Sequence, residues 1–476
     1  MRTSIFLGIL LSAMDLFAQK SKQTSIVQSL EKESERYGII AHNIWEFAEV
    51  GYQEQKSSAL LQEELKKAGF TVESGVVGMP TAFVASYGKG KPVIAILAEF
   101  DALPGVSQKA VPERMAIVDQ EAGHACGHHL FGTGSTAAGI TVKKWLEENG
   151  EKGTIRVYGT PAEEGGGGKV YMVRAGLFDD VDIVLHWHPA SLNSANASSS
   201  LANKSAKFRF YGAASHAAAA PDKGRSALDG VEAMNVMVNM LREHIPMESR
   251  IHYVITSGGE APNVVPAFAE VYYYVRHPEV EIMKSLFEKV VKVAEGAALG
   301  TNTEMEYEII HGIYNLLPNK TISEVMHKNL EFVGGFKYDQ EEMDFAKKVA
   351  ESYGAKEETI SSSTKIEPFT VTTKGRGGST DVGDISWIVP TAGMRAATWV
   401  SGTSAHSWQA VAAGGTSIGT KGMMVAAKTI ALTAIDIFQN TGLIDKAKEE
   451  LESRRGSDFK YQALIGNRNP PLDYRK

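Results

Sequence analysis

The stretch PVIAILAEFDALPG, Pro92–Gly105, is apolar without a break from Val93 to Ala98 and then delivers two carboxylates, Glu99 and Asp101. An apolar run that does not alternate reads as a strand buried on both faces, the habit of a parallel sheet covered by helices. Short runs of the same kind recur in TAFVASYG, TIRVYGTPAEE and DIVLHWHP, with helical stretches between them at 134–149 and 168–175. This order predicts an α/β domain. Ahead of it, residues 22–70 read as two helices; the second carries Leu60, Leu61, Leu65 and Ala68 at helical spacing and closes at Gly69.

The middle of the chain has another rhythm. KSAKFRFYG is strand-like, 226–244 is helical, IHYVITSGG and AEVYYYVRHP are strands, 279–299 is a helix and TEMEYEIIHG a strand. That order, β-α-β-β-α-β, is the split plan of a small ferredoxin-like domain. The economical architecture is an α/β domain with a mixed sheet in two segments, 22–203 and 314–476, with the second domain inserted at 204–313. A length of 476 residues demands more than one core in any case.

Composition narrows the function classes. The formal net charge of −7, with no basic stripe, argues against a nucleic-acid binder. Nothing after residue 20 has the ~18 uninterrupted apolar residues of a membrane span. Residues 1–18 read as an export signal: Arg2, an apolar run from Ile5 to Met14, and the small Ala18 before polar sequence. The expected location is therefore outside the cytoplasm, in the periplasm; without a functional signal it is the cytoplasm. The one cysteine, Cys126, excludes an intramolecular disulfide.

Five clusters follow strands or sit in glycine-rich loops, where α/β folds place their sites. They are Glu99–Asp101, Cys126–His128 with His124 and His129 beside it, Glu163–Glu164, His186–His188, and His406 in SGTSAHSW. Taken singly, each has a plain reading: His-x-His as a surface pair, Glu-Glu as a solvated face, a lone Cys as a small core residue, Asp101 as a strand terminator. Their succession after the predicted strands of one domain favours a metal centre, because carboxylates leaving buried strands need a partner. Cys-x-His places sulfur and nitrogen on one ion, a set suited to zinc or a similar metal. GGGGK at Gly165–Lys169 is not a phosphate loop, since Val170 stands where Ser or Thr would bind magnesium.

EFDALPG, GHACGHHLFGTGS, GTPAEEGGGGK, WHP, YGAASHAAAAPDKGRSALD, GGEAPNVVP, GGSTDVGDISW and GTSAHSWQAVA, in that order, resemble the metal-dependent aminoacylase and carboxypeptidase family of amidohydrolases, and within it the branch of the p-aminobenzoyl-glutamate hydrolase B-type subunits. The resemblance covers nearly everything from residue 25 onward. It implies two divalent ions per chain, Zn or Mn, and an inserted domain that acts as lid and dimer interface. It implies Cys126, His128, Glu164, His188 and His406 as metal ligands, Glu163 as general base and Asp101 as the residue that orients a ligand. His186 lies on the same side of its strand as His188 and competes with it. Glu99 takes the place of a metal-binding histidine and has no assigned role. By the same resemblance His216 reaches into a partner subunit's site, Asn263 donates to the oxyanion and Arg276 grips a substrate carboxylate, while Ser379 and Asp381 shape the substrate wall; the plain reading of Arg276 is a strand-end salt bridge.

The implied activity is hydrolysis of the amide bond of N-acyl or N-aroyl amino acids, p-aminobenzoyl-glutamate among them, by metal-activated water. The expected partners are a small-molecule substrate, a second copy of the chain and a paralogous second subunit. A dipeptidase or carboxypeptidase of the same family is the related alternative, and an inactive metal-binding scaffold the more distant one.

Overall fold

In a computed structural model that describes residues 21–355, 357–375 and 377–475, the Val93–Ala98 strand lies inside a six-stranded mixed sheet, every side chain buried. The signal reading of residues 1–18 falls outside the described residues. Strand order is Thr71–Ser74, Phe83–Lys89, Gly153–Gly159, Val93–Ala98, Ile183–Ala190, Thr391–Ala397. The two outermost pairings at the Thr71 side are antiparallel; the other three are parallel. Four parallel strands therefore end at one edge of the sheet, and chain leaving that edge carries Glu99 and Asp101, Glu163 and Glu164, His188, and the loop to His406.

Helices cover the sheet. Ser417–Gln439 is long and apolar enough to cross a membrane by length and composition, yet 83% of its apolar window is buried, and it packs against His128–Asn149 and Lys320–Val333. Residues before 202 and from 313 onward share one core, to which Leu97, Trp187, Ile322, Ile430 and Ile435 all belong. Two expectations need correction. Residues 22–70 hold three helical stretches rather than two, because Glu33 interrupts 21–32 from Ser34–Phe47 ahead of Gln55–Lys67. The helix expected from Gly134 begins at His128, after Gly127 at φ +75°. Its first turns are buried on all sides, so they show no amphipathic stripe by which sequence periodicity could find them.

The segment Ala202–Ile313 forms a separate four-stranded antiparallel sheet in the order Glu304–Ile313, Ala202–Tyr211, Phe268–His277, Arg250–Ser257. Helices Ala227–Leu241 and Val280–Thr301 cover one face, giving the βαββαβ plan. Alternation sets the faces: Ala206, Phe208 and Phe210 point into the helices while Lys207 and Arg209 point away. After the Gly442–Arg455 helix, residues 456–475 run back along both sheets without helix or strand.

Candidate metal centre

Two glycines let the parts of the site approach. A Cβ at Gly127 would stand 2.6 Å from Pro189, beside His188, and one at Gly132 would stand 2.6 Å from the carbonyl of Glu99. Both distances are shorter than carbon tolerates, so only glycine brings the helix start this close to the two strand ends.

His128 is fully buried and held from two sides. Its Nδ1 donates to Asp101 Oδ1 at 2.8 Å. Its Nε2 stands 3.1 Å from Glu99 Oε2 but out of line for a hydrogen bond, and neither atom has a hydrogen-bond partner. Burial alone would lower the pKa of this imidazole, but the charges of Cys126, Asp101 and Glu99 raise it well above its ordinary value. Among these anions the free ring favours its charged form; with a cation bound, the proton stays on Nδ1 and Nε2 turns its lone pair toward the ion.

The ligand-type atoms of Cys126, His128 and His188 lie within 4.8 Å of one another, and those of Cys126, Glu164 and His406 form a second such group. Cys126 belongs to both, so one thiolate can serve two ions. His188 Nδ1 donates to the Pro189 carbonyl at 2.7 Å, which leaves Nε2 free, 3.4 Å from Cys126 Sγ. Burial lowers the His188 pKa to about 3, the neutral form a ligand needs. Burial pushes the Cys126 thiol up; a bound divalent cation reverses that by taking the thiolate. His406 Nε2 meets Glu164 Oε1 at 3.1 Å, and that oxygen too lacks a hydrogen bond. The chain's own residues fit a pair of divalent ions.

Glu163 projects into a third group, with Glu99 and His128. Burial, followed by the Glu99, Glu164 and Asp381 charges, holds its carboxyl well above the usual range. Asp101 serves both sides of the centre, since its Oδ2 also accepts the Glu164 N–H at 2.9 Å. His186 stays out of both ligand groups. Its ring occupies the space over Gly393 on the neighbouring strand, where any Cβ would collide with it. His124 and His129 turn to backbone, at the Ile44 and Gly414 carbonyls, each 3.0 Å away.

A buried ion cluster beneath the centre went unread in the sequence, and it corrects the expectation for Asp381, which is buried against Lys169 instead of shaping a substrate wall. Lys169, fully buried, places Nζ 2.8 Å from Glu99 Oε1 and 2.7 Å from Asp381 Oδ1, and its N–H donates to Asp381 Oδ2 at 3.0 Å. Glu99 is thus shared between a lysine and the His128 ring. Glu54, also missed, accepts the Ala162 N–H at 2.9 Å and the Thr81 hydroxyl at 2.8 Å, and so holds the start of the Glu163 loop. The available signal was a charged side chain at the end of an apolar run or inside a buried helix, where a partner is obligatory.

The small-sheet residues stand apart from these ligand groups. His216 and Asn263 lie exposed in neighbouring loops joined by the Ala217 N–H to the Asn263 carbonyl at 3.0 Å. Arg276 has no acidic partner among the described residues. It stacks on Tyr274 at 5.3 Å, and its buried Nε lacks a hydrogen bond. The strand-end salt bridge is therefore absent. Ser379 is half-buried, its Oγ unpartnered.

Comparison with known proteins agrees with this architecture. The profile of the M20 peptidase dimerisation domain matches residues 202–302. The chain is 42% identical over 451 residues to the B-type subunit of p-aminobenzoyl-glutamate hydrolase from Escherichia coli (strain K12), covering 89% of this chain and 94% of that protein. It is 29% identical over 443 residues to the Xaa-Arg dipeptidase of Mus musculus, covering 90% and 91%. Its fold matches a dinuclear metal-binding peptidase of the M20 family from Bacillus subtilis with a TM-score of 0.58 at 17% identity, covering 86% of this chain and 99% of that one.

Proposed function

The chain belongs to the M20 family of amidohydrolases, and from that premise we propose that it cleaves the amide bond of N-acyl or N-aroyl amino acids, p-aminobenzoyl-glutamate being the reference substrate. The observation that carries this reading is Cys126, common to two ligand groups that lie beside Glu163. Cys126, His128 and His188 would hold one ion, and Cys126, Glu164 and His406 the other. The mixed sulfur, nitrogen and oxygen set suits Zn or Mn. When bound, such ions polarise the scissile carbonyl and acidify water.

Every other task falls to the protein. Glu163, free of any salt bridge among the described residues and surrounded by carboxylates, takes a proton from the attacking water and returns it to the leaving nitrogen. Asp101 fixes the His128 tautomer and the Glu164 peptide together. Arg276, stacked on Tyr274 with its buried Nε unpartnered, has donors to spare for a substrate carboxylate. Ser379 lines the substrate wall.

His216 and Asn263 act in the site of a second copy. Exposed Val236 and Met240 on the Ala227–Leu241 helix, with Val254 and Ile255 on the edge strand Arg250–Ser257, supply the apolar surface for a homodimer. Export to the periplasm and a paralogous second subunit complete the reading; N-terminal sequencing of the mature protein and its mass in solution test them.

The deciding experiment follows amino-acid release from p-aminobenzoyl-glutamate, acyl-amino acids and dipeptides, using metal-stripped protein titrated with zinc and with manganese. Release from the aroyl or acyl substrates, saturating at two ions per chain, is expected. Release from dipeptides alone would move the protein to the peptidases, the activity named for its Xaa-Arg relative. Silence on every substrate with both ions bound would leave the scaffold.

A further inference from the structure

The Glu163–Glu164 pair sits in a loop that should hold no shape by itself. It continues into Gly165–Gly168, and positive φ occurs at Ala162 (+57°), Gly165 (+94°) and Gly167 (+66°). Glycine backbone is the most expensive to order, so a loop of this kind needs ties from outside. Three come from residues already described or next to them: Glu54 at the Ala162 N–H, Asp101 at the Glu164 N–H, and the Tyr52 hydroxyl at the Gly166 carbonyl, 3.0 Å away.

The fourth comes from far along the chain. The Glu164 carbonyl accepts two donors, the Tyr474 hydroxyl at 3.0 Å and Arg475 Nη2 at 2.8 Å. The peptide of Glu164 is thereby gripped at both ends, its N–H by Asp101 and its C=O by a phenol and a guanidinium. The segment that brings these donors is itself fastened at each step. Tyr461 donates to Asp384 Oδ1 at 2.6 Å, Leu464 is buried in the small-sheet core, and Arg468 donates to the Ile309 and Ile310 carbonyls of the edge strand. Gln53 then donates to the Leu472 carbonyl at 2.9 Å, and the Tyr474 ring meets Tyr52 edge-on at 5.7 Å. Arg475 has no carboxylate partner among the described residues; its hydrogen bond is to the catalytic loop.

We propose that Tyr474 and Arg475 are positioning residues of the metal centre, locking the Glu164 peptide so that the carboxylate faces Cys126 and His406. The inference rests on the function proposed above. Both act through the Glu164 peptide. The geometry makes the effect selective: the group of Cys126, Glu164 and His406 depends on this peptide, while His128 and His188 are oriented by Asp101 and the Pro189 carbonyl.

The test titrates metal-stripped full-length protein with Zn²⁺ or Mn²⁺ against a chromophoric chelator, and reads amide exchange across residues 162–168. Arg475→Ala should weaken one of the two ions about 10- to 100-fold, the usual effect of removing a residue that orients a ligand, and leave the other unchanged. Exchange at 162–168 should quicken in the metal-free protein. Arg475→Lys should recover part of the affinity, and Tyr474→Phe, which removes one hydroxyl and keeps the ring packing, should show the same selectivity on a smaller scale. Unchanged affinities and unchanged exchange would overturn the proposal. So would equal weakening of both ions, which marks a general loss of structure. Wild-type protein that binds no ion would sink the metal reading and this inference with it, whereas two ions in the wild type and no effect in the variants would sink this inference alone.

Discussion

Lys169 is the residue on which the two outer carboxylates of the site depend. It is fully buried, and among the described residues it supplies the one cation in direct contact with both Glu99 and Asp381. Burying charges is costly, and the pair attraction repays this only while every partner is present. Lys169→Met should therefore lower the unfolding free energy of the metal-stripped protein by about 3–5 kcal/mol, because it strands two carboxylates without a cation. Asp381→Asn should cost less, since it leaves Glu99 and Lys169 as a balanced pair. Urea denaturation of both variants checks the order; a larger loss in Asp381→Asn would show that the cluster is not held by charge. At this scale the candidate ligand types stood out in the sequence because several such clusters follow the strands of one domain; taken singly, Cys-x-His and paired Glu have ordinary structural uses. Lys169 did not stand out. Its lysine stood in a glycine run that resembled a failed phosphate loop, and only tertiary contact reveals that its charge is consumed internally.

Elements add what single residues cannot. The short helix Val382–Ser386 follows Asp381 and carries Asp384, whose carboxylate accepts the Tyr461 hydroxyl at 2.6 Å and the Tyr314 N–H at 3.1 Å. Burial outweighs these bonds and raises its pKa to about 7. The sign follows from proton binding. Between the unfolded carboxyl pKa of ~3.9 and about 7 the folded state holds the proton more tightly, so stability is greatest at the acid end of that window and falls as pH rises through it. Asp384→Asn should flatten the decline in unfolding free energy between pH 5 and pH 8 by at least about 1.4 kcal/mol, the value of one pKa unit. An unaltered slope in that variant would assign the decline to other buried carboxyls such as Glu54, raised to about 8 by burial and Asp101. Element legibility divides along the same physical line. Val93–Ala98 declared itself as an unbroken apolar run, and the strands of the small sheet by alternation. The His128 start and the 456–475 segment did not, the first being buried on every side and the second having no period at all.

At the scale of the whole molecule, one chain holds the candidate ligand groups and Glu163, while His216 and Asn263 stand exposed in loops of the inserted domain, outside those groups. Buried apolar positions of the inserted domain were readable from pattern, but which copy completes which site is a property of an assembly, and no single sequence states it. A dimer with twofold symmetry exchanges the same parts in both directions. Two kinds of damaged site follow, one lacking its own Glu163 and one lacking its partner's His216. Glu163→Gln alone should bind metal normally and lose about 10²- to 10⁴-fold in turnover, the scale of a missing general base. His216→Ala alone should lose about 10²- to 10³-fold, the scale of one missing oxyanion donor. Mixed after reversible dissociation, the two should regain about a quarter of wild-type activity: random pairing makes half the dimers hybrid, and each hybrid has one site with both residues intact. A mixture no more active than its components would place His216 in the site of its own chain, requiring the small sheet to swing toward the large one, and would return the exposed surface of Met240 and Val254 to some other partner.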